Sequence, residues 1–136
     1  MPKIVFDASS LVGALLKEGS SPERALLIAR ARATLCLSPA VEAKVREVFG
    51  RLKFRQYLAG DRAATILIVL TATAEWFTPT VNITDCRDKK DNKYLELALA
   101  ASAELIISSD DDLLMLDPWR RIRIVSPSSY VREFDQ

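Results

Sequence analysis

The chain has 136 residues, 49% of them apolar, which suits one domain with a core of its own and argues against disorder. Its formal net charge of +1 gives no global basic field, so any nucleic-acid contact has to come from local patches. Histidine is absent, which excludes Ser-His-Asp and Cys-His catalysis and histidine metal sites, and leaves carboxylates, lysines, hydroxyls, two cysteines or a metal to do any chemistry.

Residues 3–7, KIVFD, predict a short strand that ends in aspartate. Apolar residues at 11, 12, 15 and 16 predict a helix over 10–19 that stops at Gly19. Ser21 and Pro22 read as the cap and first residue of a second helix, SPERALLIARARA. TLCLS, 34–38, predicts a second buried strand, and Ser38-Pro39 repeats the cap-plus-proline start ahead of AVEAKVREVFGRL. The polar and aromatic RLKFRQYLAGD reads as a loop or a short turn of helix. Residues 62–76 predict a largely buried helix, WFTPTVNIT a short strand broken by Pro79, and 85–93 a charged loop. A helix over 94–103, a strand over 104–108, a short helix in DDDLLML, a strand over 121–126 and a helical tail complete the chain.

This alternation predicts a single α/β domain over 1–136, layered around a central, mainly parallel sheet. Cys36 and Cys86 form no CxxC pair, a usage that suits a reducing cytosol. No stretch is apolar enough for long enough to span a membrane, so the expected location is cytoplasmic.

In parallel sheets ligands bind beyond the carboxyl ends of the strands. The first strand ends in Asp7. The fourth runs into Ser108-Ser109 and then Asp110, Asp111 and Asp112. Asp91-Asn92 opens the helix between the third and fourth strands. Carboxylates gathered there repel one another and resist dehydration, and a divalent cation with oxygen ligands relieves both costs. Mg²⁺ or Mn²⁺ suits such donors and supports phosphodiester hydrolysis without histidine. Each aspartate also has a structural reading: Ser109-x-x-Asp112 is a variant capping box, Asp91 can cap the helix after it, and Asp7 can close a turn. It is the coincidence of Asp7, Asp91 and Asp110 at element ends that favours a site. Asp111 is expected to face solvent.

The stretches IVFDASSLVGALL, LCLSPAVEAKVREVFGRLKF and above all DKKDNKYLELALAASAELIISSDDDLLML resemble the PIN-domain family, in particular its bacterial and archaeal toxins of toxin–antitoxin pairs. The resemblance implies a three-layer, Rossmann-like α/β/α sandwich and a Mg²⁺- or Mn²⁺-dependent ribonuclease. By it, Asp7, Asp91 and Asp110 hold the metal, with Asp112 accessory and Ser108 in place of the usual Ser/Thr hydroxyl. It also implies homodimers, and a small antitoxin protein covering the site.

Two positions depart from the family pattern. Asp7-Ala8-Ser9 stands where Asp-Thr-Asn is common, so Ser9 keeps a hydroxyl in place of an amide. Lys44 stands where the second acidic residue, a glutamate, is expected, and Glu47, one turn on, is the candidate to replace it. If Glu47 substitutes, the catalytic set is Asp7, Glu47, Asp91 and Asp110. If the Lys44 ammonium enters the site, the chain becomes a weakened or inactive module that binds RNA or a protein. A haloacid-dehalogenase-like phosphatase is disfavoured, because it needs Asp-x-Asp after the first strand.

Basic clusters at Arg30/Arg32, Arg51-Lys53-Arg55 and Arg120-Arg121-Arg123 offer phosphate contacts, and Trp119 offers a ring on which a base could stack. Taken singly, each cluster reads more simply as a solvated face and Trp119 as core. Arg51, Lys53 and Arg55 are the preferred RNA contacts.

Overall fold

A computed structural model describes the backbone of residues 1–55 and 60–135, and their side chains except at 52–55 and 60–61. Five short runs, apolar except at the edge, pair as strands: β1 (Lys3–Phe6), β2 (Thr34–Leu37), β3 (Glu75–Trp76), β4 (Leu105–Ile107) and β5 (Arg123–Val125). All neighbours are parallel, in the order β3-β2-β1-β4-β5. Parallel neighbours need long crossovers, and helices supply them. These are α1 (Ala8–Leu16), α2 (Ser21–Arg32), α3 (Pro39–Arg55), α4 (Gly60–Thr73), α5 (Asn92–Ala101), α6 (Asp111–Leu114) and α7 (Pro127–Phe134). They make the outer layers of a three-layer α/β sandwich. α5 packs on β1 and β2, α1 on α2, α3 and α4, and α2 on α7.

Burial follows from this layering. Val5 of β1 and Ile106 and Ile107 of β4 are fully enclosed, whereas both residues of edge strand β3 are exposed. Strand order runs outward in both directions from the β1–β4 pair. The crevice at the carboxyl ends of those two strands is therefore the topological switch point of the sheet.

Several expected boundaries move. Ser20, not Ser21, caps α2, its hydroxyl accepting from the Glu23 N–H. α1 stops at Leu16, and Gly19 turns the chain with φ at 75°. The helix expected over 62–76 ends at Thr73, because Glu75 and Trp76 pair with Cys36 and Leu37 as β3. No strand forms around Pro79, which has no N–H to give a ladder. The stretch expected as a loop and turn after the third helix is partly helical: α3 runs to Arg55 and α4 starts at Gly60. α5 starts at Asn92, two residues early, behind a 3-10 turn over Lys89–Asp91.

Candidate metal centre

The site begins with Asp7, where β1 becomes α1. Its backbone N–H continues the ladder to the Ile107 carbonyl at 2.9 Å. Its carboxylate, 4% exposed, caps α1: Oδ1 accepts from the Ser10 N–H at 2.8 Å. Oδ2 accepts a short hydrogen bond from the Ser108 hydroxyl. Ser108, fully buried at the end of β4, also accepts from the Asp110 N–H at 3.0 Å. Asp110 in turn caps α6, its Oδ1 accepting from the Asp112 N–H at 2.8 Å. Capping and ladder bonds thus fix Asp7, Ser108 and Asp110 as one connected unit across the switch point.

The opposite wall comes from the segment before α5. Asn92 Oδ1 accepts from the Cys86 N–H at 2.8 Å, and the Tyr94 hydroxyl accepts from the Ala8 N–H at 3.1 Å. These two bonds tie α5 to the loop and to the start of α1. Asp88 and Asp91, three residues apart around the 3-10 turn, then face Asp110. One oxygen of each of Asp88, Asp91 and Asp110 lies within 4.8 Å of the others. Asp91 Oδ2 is buried with no hydrogen-bond partner.

The charges strain against this arrangement. Burial, then Asp110, Asp88 and Asp7, push the Asp91 carboxyl up to about 7. Burial also holds Asp7 above the ordinary carboxylate range, despite hydrogen bonds from Ser108 and Ser10 that favour its charge. Among the described residues no lysine or arginine forms an ion pair with Asp88, Asp91 or Asp110, and the positive charge of Lys93 stands at the edge of the group. The donors are all oxygens and one is unsatisfied, which fits Mg²⁺ or Mn²⁺ and offers no soft ligand for zinc or copper.

The structure therefore brings together Asp7, Ser108, Asp91 and Asp110. Other candidates sit differently. Asp112 turns its carboxylate to Arg87, with Nε at 2.8 Å. Ser9 is exposed on the first turn of α1, and Asp111 is exposed on α6. Glu47 is 59% exposed and meets Lys44 Nζ at 3.4 Å and Arg51 at 3.6 Å, and it is not in the aspartate group. Lys44 is only 29% exposed. Burial, then the positive charge of Lys44, lowers the Lys93 ammonium on α5, against the pull of Asp91, Glu47 and Asp88. Lys93 thus carries positive charge to the flank of Asp91, with Lys44 next to Lys93. Arg51 is engaged by Glu47, and the side chains of Lys53 and Arg55 lie outside the described residues. Trp119 is buried, so its ring face is not open to a base.

Sequence reasoning passed over Asp88, Asn92 and Tyr94. The Asp88-x-x-Asp91 spacing ahead of a helix was the available signal for the first. Nothing in the sequence marked the Tyr94 hydroxyl as the partner of a distant backbone N–H.

A PIN domain family model matches residues 3–112, a span that contains every aspartate of the group. The chain belongs to the PIN domain family. A relative in Methanocaldococcus jannaschii, an uncharacterized protein, is 26% identical over 144 residues, covering 98% of this chain and 92% of that one. Among solved structures, VapBC2 from Rickettsia felis, crystallised bound to a DNA fragment from its promoter, superposes with a TM-score of 0.56 at 12% identity. That match covers 91% of this chain and 98% of the other. At that identity the likeness is one of fold.

Proposed function

We propose that this PIN domain is a Mg²⁺- or Mn²⁺-dependent endoribonuclease, the cytoplasmic toxin of a toxin–antitoxin pair. The observation that carries the reading is the convergence of Asp88, Asp91 and Asp110 around a buried Asp91 oxygen with no partner. Asp91 and Asp110 would hold the metal, with Asp7 behind them and Asp88 on the rim. A divalent ion held this way supplies a water of lowered pKa and stabilises charge on a phosphodiester. The chain's own contribution is positional. Ser108 fixes the Asp7 and Asp110 orientations, and Lys44 and Lys93 offer positive charge to a substrate phosphate at the edge of the carboxylates. Membership of the PIN family and the fold shared with VapBC2 support the toxin reading and a protein antitoxin, while a homodimer is part of the proposal on the family resemblance alone.

The test is cleavage of single-stranded RNA. Activity with Mn²⁺, its loss in excess EDTA, and a drop of about 100-fold or more for a folded Asp91→Asn variant are the expected results. Undiminished cleavage in EDTA sinks the proposal.

Lys44 favours a second reading, a binding module without catalysis. Here the ammonium takes the place of a metal ligand and repels the cation. Calorimetry separates the two: no Mn²⁺ binding at millimolar concentration selects the module.

A further inference from the structure

The chain between α6 and β5 doubles back in a two-residue hairpin. Trp119 and Ile122 exchange both backbone hydrogen bonds, at 2.9 and 2.8 Å, and enclose Arg120 and Arg121. Both arginines have positive φ, 47° and 68°. That is the requirement of a type I′ turn, which Asn-Gly meets without strain and two long side chains do not. The turn is nevertheless firmly held. Trp119 is buried and its indole N–H donates to Asp85 at 2.8 Å.

The two guanidinium groups are presented rather than consumed. The Arg120 guanidinium sits over the Trp119 ring, 4.8 Å from its centroid, with one longer ion-pair contact of 3.8 Å to Asp85. Arg121 is exposed and has no carboxylate paired with it among the described residues. Arg123, next in the run, is spent on a two-pronged pair with Glu133. Arg120 and Arg121 border a groove of about 520 Å³ that is also lined by Ala98, Leu99 and Ser102 at the end of α5 and by Glu104. α5 runs from the acidic group to this groove, so Ala98 lies about 10 Å along the helix from Asp91, at about 1.5 Å per residue. Between them runs the segment that carries Asp85 and Arg87, and Arg87 pairs with Asp112 beside the metal centre.

We propose that the Arg120–Arg121 hairpin is a second phosphate-binding point, which grips the backbone of a single-stranded RNA beyond the cleaved bond. This rests on the nuclease reading only for the identity of the strand. Held in place by the turn, with Arg121 unpaired among the described residues and Arg120 half exposed, the arginines suit sequence-independent phosphate contact. A strained turn kept for its side chains also explains why the easier Asn-Gly pair is absent.

The test uses the full chain in EDTA, where binding is read without cleavage, and a labelled single-stranded RNA of about a dozen nucleotides. Arg120→Asn/Arg121→Gly relieves the turn, so it is expected to fold with an unchanged or higher melting temperature. Its plot of log affinity against log salt is expected to be shallower by about 1.4, at about 0.7 for each lost phosphate contact. Arg120→Lys/Arg121→Lys is expected to keep the wild-type slope. With Mn²⁺ present, the Asn/Gly variant should cleave a dinucleotide as the wild type does and lose efficiency on the long RNA through KM. An unchanged slope overturns the proposal, and so does a wild-type protein that binds no RNA; a hairpin built for an acidic protein gives the first of these. Arginine-dependent binding by a protein that never cleaves removes the nuclease reading and leaves the hairpin standing.

Discussion

Ser108 donates to the Asp7 carboxylate from 101 residues away, and its oxygen accepts from the Asp110 N–H two residues on. One buried hydroxyl thus sets the positions of two acidic residues. Ser108→Ala leaves a 4%-exposed carboxylate short of a partner and an N–H unanswered. A loss of about 1–3 kcal/mol in urea denaturation is expected, with weaker Mn²⁺ binding.

The metal-free protein is expected to lose stability as pH rises. Asp91 titrates near 3.8 when unfolded and at about 7 in the fold. Between those values the native state holds a proton that the unfolded chain has released, so the contribution is present below about 3.8 and gone above about 7. Asp7 shifts in the same direction. Melting curves in EDTA across this window check it, and a flat profile there contradicts the assignment.

Metal should reverse that trend. Mn²⁺ needs the deprotonated carboxylates, so its gain in melting temperature is expected to be larger at about pH 7.5 than at about pH 5. Asp91→Asn should abolish the metal response. Without metal it should match or exceed the wild type above pH 7, because the uncompensated charge is gone.

Lys44 and Glu47 give opposite expectations. Lys44→Glu returns a carboxylate to a half-buried position beside Lys93, which itself flanks Asp91, and should strengthen Mn²⁺ binding by about tenfold or more, the factor of about 1.4 kcal/mol. Glu47→Gln removes an exposed group already engaged by Lys44 and Arg51. It should leave the fold intact to within about 0.5 kcal/mol and change Mn²⁺ affinity by less than Lys44→Glu does.

The layered sheet was legible in the sequence because the strands are short unbroken apolar runs and Ser-Pro pairs mark helix starts. β3 was not. Its two residues are both exposed and follow a helical pattern, so only pairing with Cys36 and Leu37 defines it. Asp7, Asp91 and Asp110 stood at element ends and were readable as a group. Asp88 was hidden in a run of charges where lysines and aspartates alternate. Ser109 matched a capping-box pattern, yet Asp110 caps α6, since the chain is still extended at that residue. The ion pair of Glu47 with Lys44 needed side-chain positions that helical spacing does not supply.

The pairing of β1 with β4 joins Ile4 to Leu105, Val5 to Ile106 and Phe6 to Ile107. The central seam of the sheet is thus among its most distant contacts along the chain, and such contacts form late because loop closure comes first. A nascent chain that has emerged only through α4 has Asp7 but neither Asp91 nor Asp110 to meet it. During synthesis the acidic group is assembled only after β4 and the start of α6 have emerged, so a nuclease built on it would stay harmless on the ribosome until then.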